Sequence, residues 1–211
     1  MRRTLIALSI AAAAATSASA TTIWTSAGPG SDVAGACTVD FDGSTCAGVN
    51  YVPVAPDVTL TNNIVTGSAS GVTAQPPGST GYYLNVGPTL GSPVDITIDA
   101  GANYNYFGLL AGSLDAYNTI EFRLTDSSVL SLTGTELAAA ANQSATGNQQ
   151  QGIYWNIFLG ADAFFNRIRL SSTQNAFESD NHAFAKVPVP ATLGLLGLGL
   201  LGLGAIGRRR G

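Results

Sequence analysis

Residues 119–133 read Thr-Ile-Glu-Phe-Arg-Leu-Thr-Asp-Ser-Ser-Val-Leu-Ser-Leu-Thr. Ile120, Phe122 and Leu124 alternate with Thr119, Glu121 and Arg123. A period of two gives an extended strand one apolar and one polar face. Asp126-Ser127-Ser128 then supplies turn formers ahead of a second run at 129–133, so the stretch predicts a β-hairpin. A lone hairpin is marginal in water, and this one needs more strands to lie against.

The flanking sequence offers them. Residues 94–98 alternate strictly as Val-Asp-Ile-Thr-Ile, 82–86 form a strand ending at Gly87-Pro88, and 103–111 form an aromatic one. Later strands are expected at 152–159, 164–170 and 176–185. Earlier ones are expected at 38–42 and, separated by Pro53 and Pro56, at 50–54 and 58–60, where proline confines them to an edge or an irregular crossing. Residues 64–70 read as weakly extended, 75–80 and 142–151 as loops, and 136–141 as a helix of one or two turns. About ten short strands with regular turn signals predict an all-β fold, an antiparallel sandwich. No repeat at 20–50 residues is present, which removes propellers and solenoids.

Both termini differ from this middle. Arg2 and Arg3 precede an apolar run at 5–15, and Ala18-Ser19-Ala20 offers the small residues that signal peptidase needs. Residues 1–20 therefore read as a signal peptide forming a short helix, cut between Ala20 and Thr21, with the Sec translocon as its route. The other terminus has Val187-Pro188-Val189-Pro190, then seventeen residues without charge at 191–207, then Arg208, Arg209 and Arg210. Seventeen residues at ~1.5 Å each make roughly 26 Å of helix, the short end of what spans a hydrocarbon core. The arginine cluster favours the cytoplasmic side, which leaves the body outside. The expected division is signal peptide 1–20, a flexible segment 21–35, a sandwich domain 36–186 and a tail 187–211.

All thirteen acidic residues lie between the two ends, against only Arg123, Arg167, Arg169 and Lys186, so the body carries −9. That balance excludes nucleic acid and anionic lipid surfaces as partners. It fits solubility outside the cell or binding of divalent cations. Cys37 and Cys46, the two cysteines of an exported chain, are expected to form a disulfide.

The tail resembles the PEP-CTERM sorting signal of Gram-negative bacteria in the order proline motif, Gly/Leu-rich span, arginine cluster. Val189 stands where the acidic residue is usual. The resemblance implies passage through the inner membrane, a transient membrane anchor, and recognition by an exosortase-like membrane protease at the surface. Residues 112–122 (Gly-Ser-Leu-Asp-Ala-Tyr-Asn-Thr-Ile-Glu-Phe) are similar to a stretch found in exosortase-dependent surface proteins. Tyr82-Tyr83-Leu84-Asn85-Val86, Tyr106-Phe107-Gly108-Leu109, Leu132-Thr133-Gly134 and Phe177-Glu178-Ser179-Asp180-Asn181 follow that pattern in order. This second resemblance implies a jelly-roll-like sandwich and no established activity.

Catalytic signatures are sparse. His182 is the sole histidine, which excludes multi-histidine metal centres, and no serine sits in a nucleophile elbow. Glu121, Glu136 and Glu178 are the only glutamates that could form a glycosidase pair. No catalytic residue is assigned, and the chain reads as a non-enzyme. Asp40 and Asp42 beside the first strand, with Glu178, Asp180 and Asn181 in the last, offer oxygen ligands for a calcium ion if those strands are neighbours. Asp115, Tyr117 and Asn118 read as a structural turn. Tyr104, Tyr106, Phe107, Tyr154 and Trp155 offer faces for stacking on sugars, unless the alternation turns them into the core. The leading expectation is an exported surface or extracellular-matrix protein set among exopolysaccharide. A carbohydrate-binding or adhesive module, with ice binding as a remote variant, and a secreted polysaccharide hydrolase are the alternatives.

Overall fold

A computed structural model describes residues 21–54, 59–112, 114–147 and 152–188. The expected signal helix at 1–20, the membrane helix at 191–207, and the sorting and cleavage residues Ala18, Ala20, Val189, Pro190 and Arg208–Arg210 lie outside the described residues. Among the described residues no helix is long and apolar enough to cross a membrane.

Twelve strands are described: β1 (Thr22–Ser26), β2 (Cys37–Val39), β3 (Val49–Pro53), β4 (Ile64–Thr66), β5 (Tyr82–Val86), β6 (Val94–Ile98), β7 (Tyr106–Ala111), β8 (Asn118–Leu124), β9 (Val129–Thr133), β10 (Ile153–Phe158), β11 (Phe165–Ser172) and β12 (Phe177–Ala185). Two short helices, α1 (Leu60–Asn63) and α2 (Gly134–Ala140), join them. Position 58 of the expected strand at 58–60 lies outside the described residues, and Leu60 opens α1 instead. Every pairing is antiparallel. One sheet runs β1-β10-β7-β12-β5-β4, with β2 also on β12, and the other runs β3-β6-β11-β8-β9. The 119–133 hairpin is β8–β9, with Ile120 opposite Leu132 and Phe122 opposite Leu130.

The sheets face each other over one apolar core. The seven-stranded sheet contributes Leu84, Val86, Phe107, Leu109, Trp155, Ile157, Phe177 and Phe184; the five-stranded sheet contributes Ile96, Ile120, Phe122, Ile168 and Leu170. Phe107 meets Phe122 edge-on across the gap, ring centres 6.0 Å apart. α2 is held by a capping box, in which Thr133 and Glu136 satisfy each other's backbone N–H.

Residues 21–35 are not a loose segment. β1 pairs residue for residue with β10, from Thr22 opposite Phe158 to Ser26 opposite Tyr154. Gly/Ser/Ala composition hides a strand whose stability comes from its partner; only Ile23 of the five packs on the main core. The chain then lies across the outer face of the same sheet. There Ser31 Oγ donates to Tyr106 Oη at 2.6 Å, because that hydroxyl itself donates to Asn156 Oδ1, and Val33 and Ala36 pack on Tyr106, Leu110 and Tyr154. Gly108 makes room for this layer, since a Cβ there would meet both tyrosine hydroxyls.

Candidate functional site

β12 is the organising strand. It pairs with β7 along one edge and with β5, then β2, along the other. Phe177 and Ser179 point into the core, while Glu178 and Asp180 lie on the opposite face. Asn181 adopts φ 49° where the ladder to β7 shifts register between Asp180 and Ala183. This extra residue is a bulge, and it returns His182 and Phe184 to the core side.

His182 is therefore an interior residue. It is fully buried among Phe41, Tyr51 and Phe107. Nδ1 is 2.8 Å from Tyr51 Oη on β3, and Nε2 is 2.9 Å from Ser179 Oγ. Burial depresses its pKa to about 3. A neutral imidazole satisfied at both nitrogens pins one sheet to the other, and it has no face open to a substrate.

The expected calcium ligands do not assemble. Asp40 Oδ1 accepts from the backbone of Asp42 and Ser44, and Oδ2 accepts from the Ser44 hydroxyl at 2.6 Å. Asp42 accepts from the Tyr82 N–H. Asp180 accepts from the Asn181 N–H, and Asn181 Nδ2 donates to the Pro29 carbonyl. Glu178 accepts from the Ala74 N–H at 2.8 Å. Each group has its own hydrogen-bond partners, and among the described residues no set of three His, Cys, Asp or Glu side chains is placed to hold a metal. Asp40 and Asp42 do lie close enough to act on Asp180. Burial first, then these two charges, raises its carboxyl to about 6.

The glutamates also stay apart. Glu121 pairs with Arg167 on the outer face of the five-stranded sheet, Glu136 caps α2, and Glu178 lies on the outer face of the other sheet. Asp115 and Asn118 form the expected turn: Asn118 Oδ1 accepts from Asp115 N–H at 2.7 Å, and Asn118 N–H returns a bond to the Asp115 carbonyl. Cys37 and Cys46 are joined in a disulfide. Of the proposed sugar-stacking rings, Tyr106, Phe107, Tyr154 and Trp155 are buried, and Tyr104 packs against Phe184.

Two features were not read from the sequence. One is a polar pocket of about 440 Å³ beside the start of β12, walled by the turn at 68–74, Asn175, Ala176 and Glu178. Its walls are tied together. Asn175 Nδ2 donates to the Gly71 carbonyl and Thr89 Oγ1, Tyr83 Oη donates to the Gly67 carbonyl, and Asn85 Nδ2 donates to the Val72 carbonyl. The other feature is at the opposite end of β12. Thr22, Phe158, Tyr106 and Ala185 form one row across four strands. The start of β1 and the end of β12 thus leave the same end of the sandwich, three strand spacings or roughly 14 Å apart.

A PEP-CTERM protein-sorting motif matches residues 186–210. It implies an exported surface protein that an exosortase processes. Comparison with curated proteins and with solved structures gives no match.

Proposed function

We propose that this chain is a non-catalytic surface or matrix protein of a Gram-negative bacterium, with a jelly-roll-like body displayed outside the inner membrane. The observation that carries the reading is the shared end. A signal peptide before Thr21 and a hydrophobic tail after Val187 would enter one bilayer side by side, ~14 Å apart. The body can therefore fold fully while both segments are still in the membrane. Signal peptidase then acts on one and the exosortase-like protease on the other. The sealed His182 and the scattered glutamates support a non-catalytic role.

Mass spectrometry of the protein recovered from cells and medium tests this. The expected product begins at Thr21 and has lost Arg208–Arg210. Full-length protein found only in the cytosol would refute it.

A second reading has one observation in its favour, the pocket at the membrane-distal end. Ser68, Ser70, Thr73 and Asn175 with one carboxylate suit a neutral, hydroxyl-rich ligand such as a segment of exopolysaccharide; an anion would meet Glu178. NMR titration with neutral oligosaccharides should shift residues 68–74 and 175–178 and no others. No shift at tens of millimolar would end this reading, which the burial of the aromatic faces already weakens.

A further inference from the structure

Asn105, just before β7, is fully buried and directs its hydrogen bonds at the point where the chain leaves the sandwich. Its backbone N–H donates to the Ala185 carbonyl at 3.1 Å, and its own carbonyl accepts from Leu159 N–H at 3.0 Å. The side chain goes two residues further. Oδ1 accepts from Val187 N–H at 2.7 Å, and Nδ2 donates to the Val187 carbonyl at 3.0 Å. Nδ2 also reaches the Gly160 and Ala161 carbonyls at 3.1 and 3.3 Å. One side-chain amide thus pairs with both backbone groups of Val187, as a neighbouring strand would. The Val187 side chain packs against the Tyr106–Leu110–Ala183–Ala185 cluster, and the Lys186 ammonium lies 5.5 Å from the Phe164 ring centre. Pro188 is exposed.

The sorting motif begins at residue 186, so its first two residues belong to the folded body. A protease binds the chain around the scissile bond in extended form through main-chain hydrogen bonds. Those of Val187 are already taken by Asn105. We propose that Asn105 sets the boundary of C-terminal processing. Backbone up to Val187 is withheld, and the enzyme acts on peptide bonds beyond it. In such a step one backbone amide breaks. With water as acceptor, the acyl carbon gains the hydroxyl and the departing nitrogen takes the proton. The retained product keeps Val187 and its clamp, so processing does not fray the end of β12. This rests on reading the tail as a processing signal.

Two arms separate the clamp from that reading. In the first, the mature C-terminus is located by mass spectrometry in the producing cells. In the second, purified full-length protein in detergent is trimmed with proteinase K, which needs no sorting enzyme. Wild type should end at Val187 or later in both arms. Asn105→Ala should be trimmed past Val187 at least tenfold faster, with ends appearing at 184–186. Val187→Pro, which removes the N–H donor and leaves the buried Asn105 in place, should do the same if Asn105→Ala fails to fold. A wild-type end upstream of Val187, or unchanged proteinase K boundaries in both variants, overturns the clamp. A tail never removed in cells, with the proteinase K boundary as expected, overturns the sorting reading alone.

Discussion

The two sheets of this sandwich share a core but differ on their outer faces. The five-stranded sheet alternates as its sequence does: β8 is buried at Asn118, Ile120 and Phe122 and open between them. Its outer face carries an ion-pair ladder in which Arg169 grips Asp95 through both oxygens, at 2.7 and 2.9 Å, and Arg167 bridges to Glu121 at 3.2 Å. The central strands of the seven-stranded sheet, β10, β7 and β12, are buried on both faces. β7 is covered at all six positions, and β12 at eight of nine. Its outer layer is closed by the chain itself, by residues 27–36 over Tyr106 and Tyr154 and by the 67–80 loop over Asn85 and Glu178. A polar residue facing outward on β12 therefore finds an internal hydrogen bond, whereas Arg123 on β8 and Ser131 on β9 face water.

Equivalent outward substitutions should separate the sheets most sharply. Tyr154→Ala removes a buried ring and the bond from its hydroxyl to the Asn181 carbonyl, and should cost about 3–5 kcal/mol in urea melts. Arg123→Ala, exposed on the other sheet, should change stability by less than about 0.5 kcal/mol. Similar losses would erase the distinction.

Reduction of the disulfide is the next effect in size. The bond ties β2, on one sheet, to the segment entering β3 on the other, and closes a small loop. Melts with a phosphine reductant should show about 2–3 kcal/mol lost.

The pH response of β12 tests its two-sided burial. Asp180, raised to about 6 from 3.8, keeps a proton that the unfolded chain has released. Its stabilisation is complete below about pH 4 and is lost as pH rises through 6. His182 has the opposite sign. Lowered to about 3 from 6.5, it stays neutral while the unfolded chain takes up a proton, so acidification below 6.5 costs stability. Between pH 4 and 6 the two offset each other. Asp180→Asn should expose the histidine slope, losing about 2 kcal/mol between pH 6.5 and 4.5 where wild type stays nearly level. A level profile in the variant would contradict the burial of His182.

Among the paired residues, the smallest loss should come from the ion-pair ladder. Arg169→Ala breaks a bidentate pair whose arginine is 31% exposed, and should cost about 1 kcal/mol, reduced further in high salt.

Legibility follows the same division. The strands at 82–86, 94–98 and 129–133 are found where period-two alternation and flanking turns place them. β1 was hidden because Thr-Ile-Trp-Thr-Ser has few core residues and gains its stability from β10. The calcium set failed for a related reason. Asp40, Asp42, Glu178, Asp180 and Asn181 are near in strand order, yet backbone groups at 44, 74, 82, 181 and 29 take up their oxygens and amides. The buried tyrosines gave no separate signal, since nothing local reveals that a second layer of chain will cover them.

The sequence by itself determined the all-β class, the pairing of the only two cysteines, the acidic body and the order of the sorting tail. These are local or compositional properties, carried by residues within a few positions of one another. Tertiary structure alone decided which polar residues were sealed, where the bulge at Asn181 would send His182, and that both ends of the body would leave together. It also set Asn105 against Val187, eighty-two positions away. Such contacts depend on strand order and register. These are set by the free energy of packing distant segments, and no short stretch carries that information.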